Sequence, residues 1–261
     1  MRSGQSNNSL GKIMSLRQKS LLLLIVLLLA GCASNKSQLT LDEKMAQADA
    51  LYAQKKYAKA AELYDDITFE KKSANAPIAL MRQADCYYQI HKFSDARLKY
   101  TLMTTTYPDF ADIELAFFRI GECYYEESRP AQYDQTETAQ CIEAFRTFIE
   151  KFPNSKYYMD AINYIRKAQY KLLQKKYYNG YIYYRMKDYS SALLYFEDII
   201  TLSNQDELDR KSLYYATKIS LYHKNQADAE SYWQRLTSRY PDSKEARKLK
   251  KYFVHKAKDK G

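Results

Sequence analysis

Two hydrophobic patterns divide the chain. Residues 21–30 form an unbroken apolar run of ten. From Leu41 onward, apolar and small residues recur three and four positions apart with polar residues between them, the period of a helix with one buried face. The helical stretches also repeat one another. KYAKAAELYDDI (56–67), KFSDARLKYTLM (92–103) and DYSSALLYFEDI (188–199) share aromatic-x-x-Ala-x-x-x-aromatic-x-x-apolar. A fourth copy, TAQCIEAFRTFIEKFP, places Cys141 in the alanine slot, and a fifth, QADAESYWQRLTSRYP, has Ala229 followed by Trp233. The slots fall at 60, 96, 141, 192 and 229, spaced by 36, 45, 51 and 37 residues. The long spacings predict an insertion between two helices, at about 126–138, and a proline-free helix of unusual length over 156–187. Thr40 followed by Glu43 predicts a capping box that opens the first helix.

These periods and letters resemble the tetratricopeptide repeat (TPR), a helix–turn–helix unit of about 34 residues with a small residue in each helix and a proline at its close. The small residue of helix A lets the small residue of helix B approach, while the large ones fill the gap to the next unit. Apart from Gly261, only Gly121 and Gly180 follow Cys32, and both fall at the small helix-A position that Ala48 and Ala84 take in the first two units. Pro108, Pro153 and Pro241 close units two, three and five. Unit five has Thr217 and Ser220 where Gly and Tyr are expected, as a terminal unit does. The resemblance implies an all-α chain, a right-handed α-solenoid of about five TPR units over 41–243.

The first apolar run is too short for a bilayer core, which needs about 20 residues of helix. Arg17 and Lys19 precede it and no acidic residue occurs in the first 31 positions, so it reads as an export leader, with Met1 or Met14 as the start. Leu29-Ala30-Gly31-Cys32 resembles the bacterial lipobox. That resemblance implies removal of 1–31, acylation of Cys32 and a linker over 32–40. One acyl chain holds a protein only marginally, whereas several hold it stably. Ala33 stands where an aspartate would signal inner-membrane retention, and 33–36 holds no acidic cluster, which together imply the periplasmic face of the outer membrane.

Charge then narrows the function classes. Of 41 basic residues four leave with the leader, so 37 face 31 acidic ones. Residues 244–261 hold eight basic and two acidic residues, which accounts for the whole excess of +6 and leaves 32–243 neutral. Nucleic-acid binding, which needs a basic face on the folded domain, is excluded on that distribution. The basic tail reads either as a polar cap on the last unit or as a surface attracted to anionic lipid. Cys86, Cys123 and Cys141 cannot all be paired, and read as buried small hydrophobes rather than as a Cys123–Cys141 bridge. No spacing suits a metal, a nucleophile or a phosphate loop, so neither catalysis nor a cofactor is expected. The residues one and four positions after the small helix-A residue should line the concave face: Asp49 with Tyr52, Asp85 with Tyr88, Glu122 with Tyr125, and Tyr181 with Tyr184. Tyrosines beside carboxylates suit an extended peptide. Packing between neighbouring helices is the other reading of the tyrosines, and both stand at this point.

A lipobox followed by five such units resembles the BamD family, lipoprotein subunits of the outer-membrane β-barrel assembly (Bam) machine. The most specific stretches are YDQTETAQCIEAFRTFIEKFPNSKY (133–157) and YYNGYIYYRMKDYSSAL (177–193). The resemblance implies a non-catalytic scaffold that docks through its C-terminal half on the POTRA-bearing, BamA-like barrel subunit and helps receive unfolded barrel precursors. A SusD-type glycan-binding lipoprotein and an adaptor for cell-wall enzymes are the competing assignments.

Overall fold

The computed structural model describes residues 39–70 and 73–254, and Cys32 and the leader lie outside them. Contacts divide the chain into two compact units, Met1–Glu43 and Lys44–Gly261. The described part of the first is the helix start. The Glu43 N–H donates to Thr40 Oγ1 at 3.2 Å and the Thr40 N–H donates back to Glu43 Oε2 at 2.9 Å, the reciprocal capping box expected there.

Eleven helices and no strand occur among the described residues. They form five antiparallel pairs: α1 (Leu41–Ala53) with α2 (Tyr57–Phe69), α3 (Ala76–Gln89) with α4 (Phe93–Thr106), α5 (Ile113–Glu127) with α6 (Thr136–Lys151), α7 (Tyr158–Arg185) with α8 (Tyr189–Leu202), and α9 (Glu207–Tyr222) with α10 (Gln226–Arg239). A last helix, α11 (Lys244–Val254), packs on α9 and α10. The second helix of each of the first four pairs also packs on the first helix of the next pair, the nearest-neighbour logic of a solenoid.

The alanine-slot residues Ala60, Ala96, Cys141, Ala192 and Ala229 are all fully buried, as are Ala48 and Ala84 opposite them. The insertion is shorter than the spacing suggested. Helix α5 continues to Glu127 and α6 starts at Thr136, which leaves 128–135 outside helices. That loop is fixed to α7: Lys171 Nζ donates to Ser128 Oγ at 2.6 Å and Lys175 Nζ to the Gln132 carbonyl at 2.9 Å. Helix α7 spans 28 residues because its two halves serve different partners. Ala161 and Ala168 in its first half pack with Phe145 and Phe148 of α6, while Tyr177 in its second half packs with Phe196 of α8.

The turn inside four of the five pairs uses a residue with positive φ that is not glycine: Lys55 (59°), His91 (59°), Lys187 (63°) and Lys224 (58°). Each closes a Schellman motif. In the first, the Lys55 N–H donates to the Tyr52 carbonyl at 2.8 Å and the Lys56 N–H to the Leu51 carbonyl at 2.9 Å, satisfying carbonyls at the helix end. A side chain in this conformation costs about 1–2 kcal/mol, part of which glycine recovers against its own larger unfolded-state entropy. Lys187→Gly and Lys224→Gly should therefore each raise stability by about 0.5–1 kcal/mol. Denaturant midpoints shifted upward with unchanged slope are the expected result.

All three described cysteines are free and fully buried, as the sequence reading expected. Burial pushes each thiol up to about 12. Alkylation of the native protein in mildly basic buffer should leave Cys86, Cys123 and Cys141 unmodified, and unfolding should expose all three.

Candidate functional site

The residues expected to line the helix-A face do come together, and each has a partner inside the array. Tyr64 Oη donates to Asp49 Oδ1 at 2.5 Å, and one repeat later Tyr100 Oη donates to Asp85 Oδ1 at 2.6 Å. Both tyrosines are fully buried, and their only polar atom reaches across the helix pair to a carboxylate. Burial holds both phenols above their ordinary range, with the carboxylate adding to the effect, so they remain donors. Repeat three has Phe145 in that place and no hydroxyl to offer. Glu122, 8% exposed, is satisfied instead by Arg119 Nη1 at 2.6 Å and by Tyr164 Oη from α7 at 3.0 Å. Asp49, Asp85 and Glu122 are thus each tied to the array by side-chain hydrogen bonds.

The tyrosine row is half-buried and interlocked with the following repeat. The Arg82 guanidinium lies 5.1 Å from the ring centroid of Tyr52, and that of Arg119 lies 5.0 Å from Tyr88. Lys171 Nζ lies 5.0 Å from the Tyr125 ring and Lys218 Nζ 5.2 Å from Tyr184. Tyr181 and Tyr184 both meet Tyr215 of α9, with centroids at 5.6 and 4.7 Å. A cation over a ring contributes about 0.5–1 kcal/mol at an exposed site. The row therefore joins neighbouring repeats and stays partly exposed.

Repeat three and the start of α7 frame a cleft beside Glu122. The cleft, of about 430 Å³, lies between α5 and α7, with Phe118, Tyr157 and Tyr164 as apolar walls and Arg119, Asp160 and Lys167 as charged ones. Burial, helped by Glu122, pushes the Tyr88 phenol up to about 12. Arg119, Tyr164 and Lys167 were not singled out in the sequence. Arg82 and Arg119 both stand two residues before the small helix-A residue, and that shared position is the signal that points to them.

Asp85 gives this face a pH dependence. Burial raises its carboxyl above the usual range, against the lowering effects of Tyr100 and of Arg119 and Arg82. Folding therefore favours the protonated form, and stability tied to this group is present below the unfolded-state value and lost as pH rises through the folded one. Asp85→Asn keeps an acceptor for Tyr100 and removes the titration. The variant should match or exceed the parent in Tm near neutrality, and the parent should gain relative to it as pH falls toward about 4.

Among the described residues no group of histidines, cysteines and carboxylates is placed to hold a metal ion, and no helix is long and apolar enough to cross a membrane.

Residues 38–201 match the family model YfiO, described as an outer membrane lipoprotein, and residues 211–243 match a tetratricopeptide-repeat model. The chain is 27% identical over 230 residues to the outer membrane protein assembly factor BamD of Rickettsia prowazekii, covering 86% of this chain and 92% of that protein. Among solved structures, it is similar to the TPR2AB domain of yeast Sti1 (14% identity, TM-score 0.43, 79% of this chain and 80% of that one). It is also similar to PilF of Pseudomonas aeruginosa (16% identity, TM-score 0.34, 91% and 92%).

Proposed function

This chain belongs to the YfiO/BamD family of outer-membrane lipoproteins, and from that premise we propose that it is a non-catalytic scaffold of the β-barrel assembly machinery. It is held at the periplasmic face of the outer membrane by acyl chains on Cys32. The observation that carries this reading is the extent of the relationship: the family model spans 38–201, and the BamD relative is matched over 92% of its length.

Two surfaces divide the work. The first three repeats receive unfolded barrel precursors along the face of Asp49, Tyr52, Asp85, Tyr88, Glu122 and Tyr125. In support, the rings are fixed by Arg82, Arg119 and Lys171 before any ligand arrives, so little side-chain freedom is lost on binding. Tyr181 and Tyr184 continue the row into repeat four. The POTRA-bearing, BamA-like subunit docks on repeats four and five. In support, Met186 and Tyr222 are 68% and 66% exposed. Tyr222 also packs on Tyr189, with centroids at 4.6 Å, which makes an apolar edge where the turns of these two repeats meet. Exposed apolar surface rimmed by polar residues marks such contacts.

Photo-crosslinking in the intact protein separates these assignments. A crosslinker at Met186 or Tyr222 should capture the barrel-forming subunit, and one at Arg82 should capture unfolded precursor. Capture of precursor at Met186 and of the barrel subunit at Arg82 would reverse the division. Capture of a glycan importer or a cell-wall hydrolase at both positions would remove the proposal altogether.

A further inference from the structure

The charge on α11 is unlike that on the rest of the array. Lys244, Arg247, Lys248, Lys250 and Lys251 are all exposed, and none forms an ion pair among the described residues. Elsewhere Arg and Lys side chains pair with carboxylates between repeats, as in Arg97 with Glu127 and Lys99 with Asp65. The helix has one acid of its own, Glu245, and it is turned inward. It is 6% exposed, with Oε2 3.1 Å from Arg210 Nε. Two carboxylates lie near the cations: Asp242, which shares a cleft of about 390 Å³ with Arg247 and Lys250, and Glu207, which is paired first with Lys211 at 2.5 Å.

The apolar side of the same helix is already covered. Ala246 and Leu249 are buried, and Phe253 stacks on Trp233 with centroids 4.8 Å apart and planes within 3°. The helix therefore caps the last repeat and cannot roll its apolar side into another partner without uncovering that core. What remains outward is a fixed field of positive charge with Tyr252, 51% exposed, under the Lys251 ammonium at 5.1 Å.

We infer that the outer face of α11 docks on anionic lipid headgroups and holds the C-terminal end of the array against the membrane leaflet. Cations spread along an exposed helix face suit a continuous polyanionic surface, and an exposed tyrosine suits its interface. The contact is electrostatic and needs no insertion. It rests on membrane localisation and not on the identity of any protein partner.

The test uses the chain from residue 33 onward, which keeps every described helix and lacks the acyl anchor. The probes are sedimented vesicles of phosphatidylcholine alone or mixed with phosphatidylglycerol. The protein should bind the mixed vesicles and not the neutral ones, and the binding should weaken steeply with salt, because exposed charges are screened over about 8–10 Å. Arg247→Gln, Lys248→Gln, Lys250→Gln and Lys251→Gln combined should lower the partition coefficient by about two to three orders of magnitude. Tm should stay in place, since all four side chains are exposed. Equal binding to both vesicle types, binding indifferent to salt, or a folded quadruple variant that binds as the parent does would each overturn the inference. The vesicle and salt comparisons use the unsubstituted protein, so they decide the matter even if the variant folds poorly.

Discussion

Replacing Arg239 by leucine should remove about 3–5 kcal/mol of stability, because it leaves a buried carboxylate without its cation. Asp209 on α9 is fully buried. Arg239 Nη1 donates to both of its oxygens, at 3.0 and 2.9 Å, and Tyr240 Oη donates at 2.8 Å. Arg239 Nη2 also reaches Ser203 Oγ at 3.2 Å, which ties the loop after α8 to the end of α10. With leucine in place only the tyrosine remains. In a domain of this size each kcal/mol corresponds to roughly 2–4 °C in Tm, so a fall of about 6–20 °C is expected. Asp209→Leu combined with Arg239→Leu should recover part of that loss, since no charge is then left unpaired. A single variant as stable as the parent would mean that water reaches Asp209 and that the pair is not a buried one.

The second large effect should come from Phe145→Ala, at about 3–5 kcal/mol for a buried aromatic truncated in a packed core. Phe145 is fully buried, stacks on Tyr164 with centroids at 4.9 Å and planes at 9°, and meets Phe118 edge-on at 5.4 Å. It also explains Gly121. A Cβ there would stand 2.7 Å from the ring, and the ring cannot retreat because Tyr164 backs it. Gly121→Ala should therefore destabilise, although alanine is the better helix former by about 1 kcal/mol. In a Phe145→Leu background the same change should become neutral or favourable. That reversal, read as a double-mutant cycle by denaturant unfolding, distinguishes steric conflict from a general effect of the substitution.

The repeat framework was legible in the sequence because it is local. Small residues at fixed spacing, prolines at the closes and the Thr40–Glu43 pair each state a short-range constraint, and the structure meets all of them. The long helix was readable for the same reason, as a stretch with no breaker. The turn residues were not readable, because three of the four, Lys55, Lys187 and Lys224, are lysines, which carry no preference for the left-handed conformation that they and His91 adopt. There the helix on each side imposes the geometry. On the candidate face the sequence named Asp49, Asp85 and Glu122 but not their hydrogen-bonding partners. Asp49 with Tyr64 and Asp85 with Tyr100 are each fifteen residues apart, a repeated spacing that crosses a turn and that helical periodicity does not reveal. Glu122 departs from this pattern because Phe145 replaces the tyrosine, and its partner Tyr164 lies in the next repeat. The basic tail reads in the sequence as either a cap or a lipid surface. Ala246, Leu249 and Glu245 turn one side of α11 onto the last repeat, and its lysines face outward.

The proposal that this chain works as a scaffold of barrel assembly is tested most directly by purifying the protein from detergent-solubilised membranes and identifying what stays bound. A stable complex containing the POTRA-bearing barrel subunit is expected, with precursor chains associated when assembly is slowed. Stable recovery of a glycan importer or a cell-wall hydrolase, with no barrel-assembly subunit present, would contradict it.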